Sequence, residues 1–281
     1  MRKRAYTRLE QPASGRRTQG AGSGIRNARD MAAVRILVNA LIMIAEIAAV
    51  VAAAWAGLHY PLAFAGATAG VAFIQGIMLE HARLKHELPF YFGPRGPRAG
   101  LLVPFVATTS ALVRAAIGGV VALLTFSGTD TDRLSWIAVV FGVTLYLAAT
   151  ILRGLAHRLD ARPARWGYFR LAAPLGLIYS AGLWLLSSFG KLRTPDLTEM
   201  GRTILFETPQ KPTMEQGSEL LFRMKLYIDS VITALLKPVV GADWAPIVSI
   251  ALSVNVLTGF VVAIFAVVIA EMVVRAENAM L

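Results

Sequence analysis

The sequence contains no cysteine among its 281 residues. Its absence excludes disulfide bonds, thiolate nucleophiles and cysteine-ligated metal sites. Charged residues are also scarce, since Asp, Glu, Lys and Arg make up 16% of the chain while hydrophobic residues make up 56%. A water-soluble protein needs a larger charged surface than this, so the composition excludes an ordinary soluble domain.

Sequence motifs for catalysis and metal binding are missing as well. There is no G-x-S-x-G, Walker loop, H-E-x-x-H or paired-carboxylate site. His81 and His86 are five residues apart, so on a helix they would point about 140° away from each other and could not chelate one ion. We therefore expect that the protein is not an enzyme and that it holds no metal or cofactor.

What the sequence does contain is a series of long apolar runs, each able to cross a ~30 Å hydrocarbon core as a helix. They predict membrane helices at 32–57, 61–82, 100–127, 134–154, 171–189 and 247–274. Pro61 suits the first turn of the second helix, and the GLHY connection before it predicts a tight hairpin. The expected fold is an all-α polytopic bundle of about six transmembrane helices.

The basic residues are distributed unevenly between the connecting segments. Nineteen Lys and Arg lie in the N-terminal segment, the second and fourth loops and the C-terminal tail, against eight in the opposite segments. The positive-inside rule then places both termini in the cytoplasm. We expect a multi-pass protein of a bacterial-type inner (plasma) membrane. Because these basic residues flank apolar runs, the pI of about 10.4 predicts no nucleic-acid partner.

Four regions follow from this pattern. Residues 1–30 are predicted to be a disordered basic cytoplasmic arm, 31–189 a five-helix bundle, 190–246 an extracytoplasmic amphipathic or re-entrant segment, and 247–281 the sixth helix with a short cytoplasmic tail. In the third region, Thr213 and Gln216 have capping-box spacing. The helix that follows has an apolar face formed by Leu220, Leu221, Met224, Ile228, Val231, Ile232, Leu235 and Leu236.

Two charged residues, Glu46 and Arg114, lie inside predicted membrane helices, where ionisable groups are costly and usually paired or functional. Each lies about 14 residues from the cytoplasmic end of its helix, so their depths match. We predict that they form an intramembrane ion pair. The pair could fix helix packing or take part in ion passage or proton coupling. Alternatively, the two residues do not touch and one faces a partner subunit.

The segment 153–170 is basic, with Arg153, Arg158, Arg162, Arg165 and Arg170 in eighteen residues. We expect this loop to face the lipid and to bind anionic headgroups. The lipid bilayer is therefore an expected partner.

The last third of the chain shows a resemblance to a known family. Tyr227, Ser230 and Thr233 lie in an amphipathic segment, Asp243-Trp-Ala-Pro246 follows it, and Asn255-Val-Leu-Thr-Gly259 lies in the last apolar run. With the six-helix layout, residues 220–281 resemble the bacterial potassium-channel-like pore of the six-helix cation-channel superfamily.

The resemblance implies a pore or re-entrant segment containing Thr233, Gly241, Asp243 and Pro246. It also implies an inner helix with a polar position at Asn255 and a hinge at Gly259. The potassium selectivity filter is absent, because residues 237–242 read KPVVGA in place of a run such as T-V-G-Y-G.

Three functions remain open from the sequence. The first is ion or solute passage, or sensing, by a degenerate channel-like protein. The second is a non-catalytic membrane subunit that docks or scaffolds a larger complex, and the third is a secondary transporter. We expect a homo-oligomer or a subunit of a membrane complex.

Overall fold

A computed structural model describes residues 21–92, 102–127, 130–192, 201–202, 204 and 213–280. Within these ranges the regular structure is helical and no strand occurs. The helices are α1 (Ala21–His59), α2 (Pro61–Phe92), α3 (Leu102–Phe126), α4 (Thr131–Leu159), α5 (Pro163–Arg170), α6 (Ala172–Ser188), α7 (Met214–Val240), α8 (Ala245–Leu252) and α9 (Thr258–Met280), with a 3₁₀ turn at Val254–Leu257. The contacts divide the chain into two units, residues 1–43 and 44–281.

Five helical segments have the length and apolar composition needed to cross a membrane: Ala33–His59, Pro61–Leu88, Val103–Phe126, Thr131–Leu159 and Ala245–Met280. The prediction of an all-α chain with several membrane-length helices is confirmed. The predicted helix at 171–189 is present as α6, but its 17 residues rise only about 25 Å. It is apolar and shorter than the other five.

Several local predictions agree with the observed helix ends. α1 ends at His59 and α2 begins at Pro61, so Tyr60 alone connects the two helices. Helical hydrogen bonds continue through this connection, from the Tyr60 N–H to the Ala56 carbonyl and from the Phe64 N–H to the Tyr60 carbonyl, and the tight hairpin stays a prediction. The capping box is also present, because the Gln216 backbone N–H donates to the Thr213 side chain and the Gln216 side chain accepts from the Thr213 backbone N–H. These short-range patterns supply their own hydrogen-bond partners.

Other helix ends lie beyond their predicted limits. α1 begins at Ala21, so residues 21–30 of the predicted disordered arm are helical, and the rest of that arm lies outside the described residues. α2 continues ten residues past its predicted end to Phe92, and α4 continues five residues past its own to Leu159. The apolar runs therefore mark only part of each helix.

α9 lies at the centre of the second unit, in contact with α2, α3, α4, α5 and α6. Its residues Val261, Val262, Ala263 and Ile264 are all fully buried. Four consecutive residues point in all directions around a helix, so α9 is enclosed on every side. The aromatic rings of Phe64, Phe126, Phe141 and Phe265 pack at centroid distances of 5.0–6.0 Å and join α2, α3 and α4 to this core.

α6 and α9 cross in direct backbone contact. A Cβ on Gly259 would overlap the Ala172 carbonyl and the backbone of Gly176, and a Cβ on Gly176 would overlap the Val256 carbonyl. Both glycines are required by this close approach. Gly259 is the second residue of α9, and the interruption in the last helical segment falls at Ser253, so a hinge at Gly259 stays a prediction.

Candidate functional site

The last apolar segment is interrupted at Ser253. α8 ends at Leu252, Ser253 is extended with φ −62° and ψ 143°, and the helical direction resumes in the 3₁₀ turn before α9. An interruption within an apolar segment frees backbone N–H groups that need partners. The Val254 N–H donates to Asp229 Oδ1 at 2.7 Å, and the Asn255 N–H donates to Ser253 Oγ at 3.0 Å.

Asp229 on α7 ties this interruption to a second helix. Besides accepting from Val254, its Oδ2 accepts from Asn255 Nδ2 at 3.2 Å. Burial raises the pKa of Asp229, while the hydrogen bond from Val254, the Lys225 ammonium and the Ser253 side chain counteract that rise. One carboxylate therefore both caps the new helical start and anchors α7 to it.

A cavity of about 180 Å³ lies beside the interruption. Its walls come from the beginning of α4, the second half of α6, the polar face of α7, and α8 with the residues that follow it. The lining residues are Arg133, Ile137, Ser180, Leu183, Trp184, Ser187, Leu192, Phe222, Lys225, Leu226, Asp229, Ser230, Thr233, Ser249, Ile250, Ser253 and Asn255. The cavity thus combines charged, hydroxyl and apolar groups.

α7 has its polar face turned inward and its apolar face turned outward. Phe222, Lys225, Leu226, Asp229 and Thr233 share one face at helical spacing and all line the cavity. None of the residues of the predicted apolar face is buried, and Leu221, Met224, Ile228 and Leu235 are exposed. This is the reverse of a helix that docks on a protein through its apolar side.

Two cations of the cavity lie over the same aromatic ring. The Arg133 guanidinium carbon is 5.1 Å and the Lys225 Nζ 5.4 Å from the centroid of Phe222. Lys225 is only 4% exposed, and its Nζ donates to the Leu124 carbonyl at 3.4 Å. Burial lowers the pKa of the Lys225 ammonium to about 8, the Asp229 carboxylate opposes this shift, and the Arg133 cation adds to it. Two basic side chains and one aromatic ring therefore meet in this part of the cavity.

Some polar atoms of the cavity have no hydrogen-bond partner among the described residues. They are Ser180 Oγ and Asn255 Oδ1, and both atoms are shielded from solvent. Ser180 as a residue is 4% exposed. Buried polar groups are costly when left unsatisfied. These two positions are where water or a ligand would supply the missing hydrogen bonds.

The predicted Glu46–Arg114 ion pair is wrong, because each residue has a different partner. Arg153 Nη1 lies 2.6 Å from Glu46 Oε2, which joins α4 to the second half of α1. Glu46 is 1% exposed, so this is a buried pair. Arg114 forms its ion pair with Glu80 on α2, and its guanidinium carbon lies 4.4 Å from the Phe169 ring centroid.

Glu46 and Arg114 have partners other than the predicted ones for the same physical reason. Glu80 was predicted near the end of a helix that stopped at residue 82, and Arg153 was predicted in the basic loop 153–170. Because α2 continues to Phe92 and α4 to Leu159, both residues lie well inside their helices. Glu80 is 5% exposed and meets Arg114 across the closely packed α2–α3 pair.

The predicted basic loop is divided between two helices. Arg153 and Arg158 lie on α4, Arg162 precedes α5, and Arg165 and Arg170 lie on α5. Arg153 is half-buried against Glu46 and does not face outward. The other four are exposed, so a role at the lipid surface stays a prediction for them.

The residues predicted for the pore segment and the inner helix lie in the second half of α7, in the turn after it, and in α8 and the residues that follow it. Thr233 and Asn255 both line the cavity. Gly241 ends α7 with φ +90°, Asp243 lies in the exposed turn that follows, and Pro246 begins α8. Residues 237–240 continue α7 as helix, so their carbonyl groups are not arranged as a filter.

Over the described residues, the protein belongs to the class of all-helical chains with several membrane-length helices, and it has a cavity of charged, hydroxyl and apolar groups beside an interrupted last segment. Comparisons with protein-family models, with curated proteins and with solved structures gave no match.

Sequence reasoning missed Arg133, Lys225, Asp229, Ser180 and Ser253. Arg133 and Lys225 were counted only as topology determinants, and no role was predicted for Asp229. One signal was available, because Lys225, Asp229 and Thr233 share a face with Phe222. A polar face of that kind on a helix beside membrane-length segments indicates an inward orientation.

Proposed function

We propose that the chain is a multi-pass protein of a bacterial-type inner membrane that passes or senses a small solute through the cavity between α4, α6, α7 and α8. The observation that carries this proposal is the orientation of α7. Its apolar residues face outward, where lipid would cover them, and its polar residues line the cavity. A helix arranged this way makes a polar space inside an apolar surrounding.

The interrupted last segment supports the same proposal. Interrupted helices at membrane depth occur where backbone groups border a cavity or a binding site. Here Ser253 and Asn255 lie at the interruption and also line the cavity. We further propose that α6 provides a sixth crossing and that both termini are cytoplasmic, as the distribution of basic residues predicts.

The route that we propose lies within one chain and not on an oligomer axis. In a tetrameric channel layout the last helix would leave one face toward a central pore. α9 is instead enclosed by α2 to α6 of its own chain. The resemblance to channel pores therefore concerns the order of the segments along the chain. The candidate site of this proposal is the cavity.

The absence of cysteine makes a direct test possible, because a single introduced thiol is the only one in the chain. We would label Ser180→Cys in proteoliposomes with a membrane-impermeant maleimide added to the outside or enclosed inside. If the solute passes through the cavity, Ser180→Cys should be labelled from both sides of the membrane. If the protein senses the solute, Ser180→Cys should be labelled from one side. Ser188→Cys, which is exposed at the end of the same helix, is the control for labelling from one side. Labelling of Ser180→Cys from neither side would contradict the proposal.

A membrane-subunit function is the second candidate, and one observation favours it. Gly66 and Gly70 on α2 have no atom within 4 Å of the position that a Cβ would occupy. A small-xxx-small face of this kind lets a second helix approach closely in a membrane. Native mass spectrometry of the wild type and of a Gly66→Leu/Gly70→Leu variant would show whether this face joins copies of the chain or different chains. Monomeric wild-type protein would rule this candidate out.

A further inference from the structure

A second cavity, of about 400 Å³, is lined by residues of α2, α3 and α5. Its volume falls within the range of roughly 300–1,000 Å³ that is typical of ligand pockets. No described residue lines both this cavity and the one beside Ser253, so an inference about it goes beyond the proposed function and does not depend on it. The lining includes four arginines, Arg83, Arg114, Arg165 and Arg170.

The two arginines on α2 and α3 are paired with carboxylates. Arg114 forms an ion pair with Glu80. Arg83 Nε lies 2.6 Å from Glu87 Oε1, and Arg83 Nη1 lies 3.9 Å from Glu80 Oε1. Among the described residues, Glu80 is the only acidic member of the lining. Glu80 and Glu87 together therefore compensate for the charges of Arg83 and Arg114.

The two arginines on α5 carry charges that no carboxylate balances. Arg165 and Arg170 are exposed, and neither guanidinium forms an ion pair or a hydrogen bond with a described residue. His86, which also lines the cavity, adds no negative charge. Two positive charges of the site are thus left for an anion to balance.

Arg114 also carries a hydrogen-bond donor that is not in use. Its Nη2 pairs with Glu80, whereas its Nη1 is shielded from solvent and has no hydrogen-bond partner among the described residues. A buried donor without an acceptor is costly. The guanidinium is a planar fork that matches the oxygens of a carboxylate or a phosphate, so an anionic oxygen at this wall of the cavity would satisfy the donor.

The cavity lies near one edge of the hydrocarbon core. Glu80 is 19 residues after Pro61, counted from 61 to 80, which corresponds to a rise of about 28 Å along α2. The core of a bilayer is ~30 Å thick. Trp166 and Phe169 also line the cavity, and aromatic side chains of this kind are enriched where the membrane meets water. An anion at this depth is the headgroup of a lipid.

We propose that this cavity binds the phosphate group of an anionic phospholipid, with Arg165, Arg170 and Nη1 of Arg114 as its donors. Basic pockets between membrane helices hold lipid phosphates in this way. The sequence predicts headgroup binding for all five arginines of 153–170, whereas this site contains two of them and adds an arginine of α3. The two unbalanced charges favour an anionic headgroup over a zwitterionic one, because the ammonium of choline would be repelled by them.

The first experiment needs no mutation. The full chain, delipidated in a nonionic detergent, would be titrated with dioleoyl phosphatidylglycerol or dioleoyl phosphatidylcholine, and native mass spectrometry would count the bound lipids. Phosphatidylglycerol is expected to bind at least about tenfold more tightly. Equal affinity for the two lipids would overturn the proposal.

A soluble competitor distinguishes a lipid from a free phosphate ester. Glycerol phosphate at the same concentration should not displace phosphatidylglycerol, because it lacks the acyl chains that would pack on the apolar surface of the helices. Displacement by glycerol phosphate would show that the ligand is a soluble phosphate ester and would overturn the assignment to a lipid.

Variants then locate the site. Arg165→Gln/Arg170→Gln should weaken phosphatidylglycerol binding about tenfold or more, to the affinity of phosphatidylcholine. The matched control is Arg158→Gln/Arg162→Gln, which removes two exposed arginines of the same segment that do not line the cavity and should leave binding unchanged. Arg165→Gln alone serves if the first double variant does not fold, and it should weaken binding severalfold. Equal weakening by the two double variants would show attraction by general surface charge and overturn the proposal, and so would unchanged binding in a folded Arg165→Gln/Arg170→Gln or Arg165→Gln protein.

Discussion

Removal of Arg153 should destabilise the protein through Glu46. The carboxylate of Glu46 is 1% exposed and its partner lies 2.6 Å away on α4. Breaking a buried ion pair by removing one partner costs about 3–5 kcal/mol, because the remaining charge is buried without compensation. For a chain of this size about 1 kcal/mol corresponds to roughly 2–4 °C. The thermal midpoint of Arg153→Met should therefore fall by roughly 6–20 °C.

A double-mutant cycle isolates the interaction. Replacing both partners in Glu46→Met/Arg153→Met removes the uncompensated charge, so the double variant should be more stable than the sum of the single effects by about 0.5–3 kcal/mol. Thermal midpoints would be measured in detergent by tryptophan fluorescence. Arg114→Met is the matched control, because its partner is Glu80 and its effect should add to that of Glu46→Met. Additive effects of Glu46 and Arg153, or coupling of Glu46 to Arg114, would refute this reasoning.

Three further predictions concern the cavity and the helix crossing. Asp229→Ala should lower the free energy of unfolding by about 2–5 kcal/mol, since it removes two hydrogen bonds to a charged group and leaves the Val254 N–H unsatisfied. An unchanged thermal midpoint would show that Asp229 does not stabilise the helix interruption. Stability should rise by up to about 3 kcal/mol between pH 8 and the ordinary lysine pKa of 10.5, because in that window only the unfolded state keeps Lys225 protonated. Midpoints measured across this range should rise in the wild type and flatten in Lys225→Met, and equal slopes would contradict the assignment. Gly259→Ala should reduce the yield of folded protein, measured by size-exclusion chromatography, because the new Cβ would overlap the backbone of α6. The control Gly154→Ala should leave the yield unchanged, because the space around Gly154 is open. Similar yields would disprove the close crossing.

Features that depend on a few residues close together in the sequence could be predicted from it. The start of α2 follows from Pro61, and the start of α7 follows from Thr213 and Gln216. In each case the residues that form the feature also satisfy its hydrogen bonds. The apolar runs likewise predicted membrane-length helices, since length and composition suffice for that inference.

Charged residues at the ends of the apolar runs could not be placed from hydropathy. Glu80 and Arg153 mark the ends of the apolar runs, yet α2 and α4 continue past them and bury both in ion pairs. A charge ends an apolar run in the sequence, but it does not end a helix when an opposite charge on a neighbouring helix compensates for it. When two oppositely charged residues could pair with a given charge at similar depth, the ion pair that forms depends on which helices are neighbours.

The orientation of α7 could not be predicted from its amphipathic pattern alone. The pattern shows two faces and leaves open which of them meets the rest of the chain. In water the apolar face would be buried, whereas beside membrane-length helices it can remain outside. The cavity that Lys225 and Asp229 line was therefore missed.

A cysteine scan along α7 tests the central claim most directly. Each residue from 221 to 235 would be replaced singly in the cysteine-free chain and labelled with a membrane-impermeant maleimide in proteoliposomes. The structure predicts labelling at the cavity-lining positions Leu226, Ser230 and Thr233 and no labelling at the outward apolar positions Met224, Ile228 and Leu235. The opposite pattern would show that α7 lies on the protein through its apolar face and would contradict the solute cavity.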